Sequence, residues 1–145
     1  FFQDWYPSLV SCVKPRSAAP TLVQYLFDAG YEVVLATNPF FPQAAIEQRL
    51  DWAGVRDFPY RLVTHMENMR TVKPMTAYYE EILSRINIAP DNAMMIGDDP
   101  KNDVAPAREV GMKTWWITDL ADPSLSIDTD YQGTLAEFTA WIQQH

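Results

Sequence analysis

The chain has 145 residues, of which 48% are apolar, 13% aromatic and 21% charged, the profile of one ordinary globular domain that can bury roughly 68–70% of its unfolded surface without disulfides or structural metals. Eleven Lys and Arg against 19 Asp and Glu give a net charge of −8, the wrong sign for a nucleic-acid surface, and no apolar run approaches the roughly 18 residues of a membrane span. Cys12 is the only cysteine, so an intrachain disulfide and a thiolate zinc cluster are excluded, in keeping with a reducing cytoplasmic location.

The chain opens on Phe1-Phe2-Gln3-Asp4-Trp5 with no initiator Met, which suggests a text that starts partway into a gene product. Residues 1–16 show no clear period and are punctuated by Pro7 and Pro15, so they read as connecting material or the tail of a cap. Over 17–29, Leu22, Val23, Leu26 and Phe27 fall at helical spacing, and Gly30 stands where a helix stops. Residues 32–36 (EVVLA) form a short β-branched run closed by Thr37-Asn38-Pro39, the pattern of a parallel strand covered on both faces.

The alternation then repeats. A helix is expected near 42–53, a weaker strand near 61–64, a helix near 75–86 and a strand at 93–96. A helix near 102–110, stopped by Gly111, and a strand at 113–117 follow. Residues 119–132, rich in Asp, Ser and Pro, read as loop, and Leu135, Phe138, Ala140, Trp141 and Ile142 suggest a closing helix. Strand and helix alternating in this way predict an α/β fold with a doubly wound parallel sheet, its core running over 17–145.

Ligands of open parallel sheets bind beyond the carboxyl ends of the strands, so the polar residues that follow each strand carry the functional signal. Thr37 and Asn38 follow the first strand, Lys73-Pro74 precedes the third helix, and Gly97-Asp98-Asp99 follows the third strand with Asn102-Asp103 close behind. A hydroxyl, an amide, an ammonium and three carboxylates suit a site that holds a phosphoryl group against Mg²⁺, a hard cation that takes one or two carboxylates together with waters and phosphate oxygens. Lys73 and Thr37 fit the need to stabilise negative charge on a transferring phosphoryl group.

The segments VVLATNP, VKPMTAYYEEIL and MMIGDDPKNDVAPAREVGMKTWWI, in this order and spanning 33–117, resemble the second, third and fourth signature motifs of the haloacid dehalogenase (HAD) superfamily. The resemblance implies that Thr37 and Asn38 bind the phosphoryl group and that Lys73 neutralises charge on the phosphoryl group and the nucleophile. It implies Asp98 as a Mg²⁺ ligand, Asp103 as a second acidic residue orienting Lys73 or metal-bound water, and Asp99, where many relatives have Ser or Thr, as a second ligand. The family's nucleophile is an Asp in a DxDxT-like segment after the first strand, and no such segment is present: upstream of Thr37 the only aspartates are Asp4 and Asp28.

In the family the nucleophile strand lies between the strand ending at Thr37 and the strand ending at Asp98. Its removal would leave two buried edges with unsatisfied N–H and C=O groups, at about 1–3 kcal/mol each. The expectation is therefore a C-terminal portion of a longer protein, with the first strand and most of a helical cap upstream and Phe1 to Lys14 the tail of that cap.

Two functional classes follow. One is a Mg²⁺-dependent phosphatase of a small phosphorylated metabolite that works through an aspartyl-phosphate, with this chain alone inactive; a dehalogenase, which needs no metal, fits less well. The other is a catalytically silent HAD-like domain that binds a phosphorylated ligand, Mg²⁺ or a protein partner. The plainer readings stand beside these. Thr37-Asn38 could be a strand-ending turn, Lys73 a solvated loop residue, and the three aspartates an acidic turn in which Asp103 also caps the next helix. His65 reads as structural, and the aromatics Tyr25, Trp52, Tyr78, Tyr79, Trp115 and Trp116, with Trp5 and Tyr6, as core.

Overall fold

In a computed structural model the described residues are 17–145, and they separate into two units, one ending at Met69 and the other running Arg70–His145. The expectations for residues 1–16, including Trp5, Tyr6, Cys12 and the cap tail, lie outside the described residues.

In the first unit, α1 (Ala18–Asp28) buries Leu22. It ends where Gly30 adopts φ +86°, a left-handed turn that only glycine takes without strain, and the Tyr31 N–H returns to the Leu26 carbonyl at 3.0 Å, as in a Schellman stop. β1 (Val34–Leu35) pairs in parallel with β2 (Leu62–Val63), Val34 opposite Leu62 and Leu35 opposite Val63. Between them α2 (Gln43–Ala53) buries Ala45 and Ile46. Phe27 stacks on Phe58 at 5.6 Å and meets the edge of Tyr60 at 5.5 Å, which ties α1 to the segment that leads into β2. Tyr60 donates its hydroxyl to the Val55 carbonyl, and burial pushes its phenol up to about 12.

Both strands are shorter than expected, and Val34 and Leu35 are half-buried, whereas the apolar run predicted cover on both faces. The physical reason is pairing: among the described residues β1 has a neighbour on one side only, β2.

In the second unit α3 (Thr76–Ile86) buries Tyr78, Tyr79, Ile82 and Leu83 and ends at Asn87 in the left-handed conformation. β3 (Met94–Gly97) pairs in parallel with β4 (Lys113–Ile117), Ile96 opposite Trp115 and Gly97 opposite Trp116. Trp115 and Trp116 point to opposite faces of β4 and are both buried, so this strand is covered on both sides as a doubly wound sheet requires.

The helix expected near 102–110 begins earlier and wider. A π-helical turn over Pro100–Val104 leads into α4 (Ala105–Val110), with the Val104 N–H reaching back to the Asp99 carbonyl at 3.3 Å. The cap is Asp99, whose carboxylate accepts from the Lys101 and Asn102 N–H groups, so the expectation that Asp103 caps this helix is corrected.

A second correction concerns 119–132. Its last two residues belong to a strand, β5 (Tyr131–Gly133), which pairs in parallel with the far edge of β4. Gln132 and Gly133 hide the apolar pattern of so short a strand, and tertiary pairing overrides their low propensity. The connection is tied down by Asp130, which accepts from the Thr114 N–H at 3.0 Å and pairs with Arg108 at 3.0 Å. Burial alone would raise the Asp130 carboxyl, but the Arg108 guanidinium and the Thr114 donors outweigh it and hold it below the ordinary carboxylate range.

α5 (Leu135–Ile142) starts with a capping box between Thr134 and Glu137 and buries Phe138 against Trp115, ring centroids 5.2 Å apart. The expected α/β class holds, with every strand pair parallel. The sheet lies in two pieces: among the described residues β3 pairs with β4 alone and β1 with β2 alone. No described helix is long and apolar enough to cross a membrane.

Candidate functional site

The polar residues singled out by sequence fall at the carboxyl ends of their strands, in two groups. In the first unit Thr37 follows β1 and is clasped to Thr64, which follows β2. The Thr37 hydroxyl donates to the Thr64 carbonyl at 2.6 Å, and the Thr64 hydroxyl donates to the Thr37 carbonyl at 2.8 Å. The Thr37 proton is thus directed to β2, and donation to a phosphoryl oxygen requires exchanging that bond. Asn38 keeps its side-chain oxygen buried with no hydrogen-bond partner among the described residues, an acceptor left without a donor there. Thr64 is fully buried and was not anticipated; a second hydroxyl closing the next strand was the available signal. His65, expected to be structural, pairs with Glu67 at 2.8 Å.

The second unit holds the charged group. Lys73 precedes the cis Lys73–Pro74 peptide bond, and its ammonium lies 2.5 Å from Asp103 Oδ1. Lys73 is 9% exposed and Asp103 6%, so each charge is tolerated only because the other is present. Asp103 also accepts from the Asp99 N–H at 3.2 Å. This carboxylate lies against the end of β3 because residue 97 is glycine: a Cβ there would stand 2.6 Å from both Cβ and Cγ of Asp103. The sequence reading gave Gly97 the task of turning the chain; the structure shows that it makes room.

Asp98 and Asp99 part ways. Asp99 spends its carboxylate on the π-helical turn, accepting from the Lys101 N–H, the Asn102 N–H and the Asn102 side chain at 3.0, 3.0 and 2.7 Å. Burial works to raise its carboxyl, and those hydrogen bonds, with Lys73 assisting, hold it below the usual carboxylate range. Asp98 is exposed, and its carboxylate makes no hydrogen bond or ion pair among the described residues. Its main-chain carbonyl accepts from the Trp116 indole N–H at 3.2 Å, and the Asn102 carbonyl accepts from the Tyr79 hydroxyl at 2.6 Å.

Among the described residues no group of three or more His, Cys, Asp or Glu side chains is gathered to hold a metal alone. One open carboxylate beside a cap carboxylate still suits Mg²⁺, which keeps several waters and takes few protein ligands. A groove of about 450 Å³ in this unit is lined by Lys101, Arg108 and Ile127 among others, and none of Lys73, Asp98 or Asp103 lines it.

Comparison with known proteins finds a matching segment and the same fold among HAD-like hydrolases. Residues 71–123 match the HAD-hydrolase-like family model. The chain is 32% identical over 60 residues to the glyceraldehyde 3-phosphate phosphatase of Pyrococcus furiosus, a match covering 41% of this chain and 24% of that protein. Over 63 residues it is 33% identical to the phospholysine phosphohistidine inorganic pyrophosphate phosphatase of Danio rerio, covering 39% and 23%.

Among solved structures, an HAD phosphatase from Thermococcus onnurineus shares the fold with a TM-score of 0.81 at 22% identity, covering 98% of this chain and 64% of that one. A Bacillus subtilis HAD-hydrolase described as bound to magnesium gives a TM-score of 0.75 at 22% identity, covering 88% and 55%. Residues 71–123 match that family model, and the described chain shares its fold with solved haloacid dehalogenase-like structures. The matched stretches span about a quarter of the curated relatives' own length.

Proposed function

We propose that this chain is the Lys- and Asp-bearing part of a Mg²⁺-dependent HAD-like phosphohydrolase that acts on a small phosphorylated metabolite through an aspartyl-phosphate. The observation that carries this reading is the buried Lys73–Asp103 pair set under Gly97, with the open Asp98 carboxylate one residue further on. Both curated relatives are named as phosphatases, which supports the reaction class.

In this reading Lys73 is the fixed positive charge that stabilises a transferring phosphoryl group, and Asp103 keeps that charge buried and aimed. Asp98 is the metal ligand, and Asp99, which already accepts three hydrogen bonds, is a weaker second ligand. When bound, Mg²⁺ supplies charge neutralisation at phosphoryl oxygens and orients them. Thr37 and Asn38 are phosphoryl ligands. Since phosphoryl oxygens accept, Asn38 would serve through an N–H, and its buried oxygen needs a separate donor. The attacking aspartate and the strand that bears it come from a segment outside these 145 residues.

The lack of an Asp-x-Asp segment upstream of Thr37 within these residues favours a second reading, a silent domain that binds a phosphorylated ligand or a protein partner. Hydrolysis of p-nitrophenyl phosphate separates the two. The 145-residue chain alone should show no turnover. The full gene product should turn over with Mg²⁺ and lose activity on Lys73→Met. A full product carrying no Asp-x-Asp upstream of Thr37, or carrying one there and remaining inert with Mg²⁺, would establish the silent domain.

A further inference from the structure

Two buried aromatic side chains spend their only polar atoms on the main chain of the acidic loop. Tyr79, 1% exposed on α3, donates to the Asn102 carbonyl at 2.6 Å; Trp116, 2% exposed on β4, donates to the Asp98 carbonyl at 3.2 Å. These carbonyls bracket the segment from Asp98 to Asn102, with Asp103 the next residue.

Proline at 106 has no N–H, so one donor to the carbonyls of the preceding turn is missing. The Tyr79 hydroxyl supplies a donor to the Asn102 carbonyl. Phenylalanine would fill the same space without the donor, so the hydroxyl is not required by packing. Burial, with the neighbouring Asp103 charge assisting, pushes the Tyr79 phenol far up, which favours the protonated, donating form.

We infer that Tyr79 and Trp116 are positioning residues that fix the main chain of the Asp98–Asp103 loop, and through it the aim of Asp98 toward a divalent cation and of Asp103 toward Lys73. The cation side of this inference rests on the proposed function; neither residue touches cation or substrate.

The test uses Tyr79→Phe and Trp116→Phe in the 145-residue chain, with amide hydrogen exchange at Lys101, Asn102 and Asp103 and Mn²⁺ binding by electron paramagnetic resonance. For Tyr79→Phe, exchange at these three amides should quicken about fivefold to tenfold, the equivalent of one hydrogen bond, while α5 and β4 keep their protection. Mn²⁺ affinity should fall about tenfold, as for groups that orient metal ligands. Trp116→Phe should weaken Mn²⁺ binding in the same direction.

Unchanged exchange and affinity in both variants would overturn the inference. Faster exchange spread evenly over the unit would also overturn it, since that marks a merely structural role, as would faster loop exchange with unaltered Mn²⁺ affinity. Should the unaltered chain bind no Mn²⁺, the proposed cation site and the aim toward it both fall, and the exchange data alone then decide whether Tyr79 fixes the loop.

Discussion

Lys73 is the buried lysine among the described residues, and its sole ion pair there is Asp103. Removing one charge of such a pair leaves the other buried and uncompensated, so Lys73→Met should destabilise the second unit by about 3–5 kcal/mol, and Lys73→Met with Asp103→Leu by clearly less. Urea unfolding of the single and double variants reads this; equal losses in both would deny the pairing. Gly97→Ala tests the same geometry from the other side. Its methyl would overlap Asp103, and overpacking of this kind costs about 1–3 kcal/mol, so the unfolding midpoint should fall. A midpoint equal to that of the unaltered chain would show that Asp103 does not press on β3. At this scale the sequence singled out Lys73, Asp98 and Asp103 by their spacing, and the structure brings Lys73 and Asp103 into contact and leaves Asp98 exposed. The sequence was silent on the division of labour between Asp98 and Asp99, because adjacent carboxylates look alike until the direction of the chain decides which one meets the N–H groups of the next turn.

At the scale of elements, the π-helical turn at Pro100–Val104 and β5 are the two features that the pattern of apolar residues did not foretell. Both are set by partners distant in sequence. The turn is shaped by the Asp99 cap and by Pro106, and β5 by pairing with β4. The one local signal missed was Thr134-Leu-Ala-Glu137, a capping box that marks a helix start and so leaves the preceding residues to be extended. Thr134→Ala should cost about 1 kcal/mol, seen as a lower thermal midpoint; no change would mean that α5 is held by Phe138 packing alone.

The depressed carboxyls of Asp99 and Asp130 carry a signed prediction. A carboxyl lowered in the folded state adds stability that is present above its unfolded value, 3.8 for both, and that is lost as pH falls through the folded value. The second unit should therefore weaken as pH drops below about 4, and Asp99→Asn, still able to cap, should flatten that slope. Denaturation midpoints between about pH 6 and pH 2 check it; parallel curves for both proteins would contradict it.

Across the whole molecule, the α/β class and the order of nine of the ten α-helices and β-strands could be read from alternating apolar runs, Gly stops and the strand-end polar residues. The exception was β5, and the start of α4 was placed differently. Among the described residues β1 and β3 each keep one edge without a partner, and the motif resemblance had already led to the expectation of such edges.

The claim on which the proposed chemistry depends is that the loop after β3 offers Asp98 to a divalent cation, and the most direct measurement is calorimetric titration of Mg²⁺ into the 145-residue chain and into its Asp98→Asn variant. The account predicts saturable single-site binding in the unaltered chain and loss of most of it in Asp98→Asn, with amide spectra otherwise superimposable. Binding that is absent from the unaltered chain, or identical in the two proteins, would contradict it.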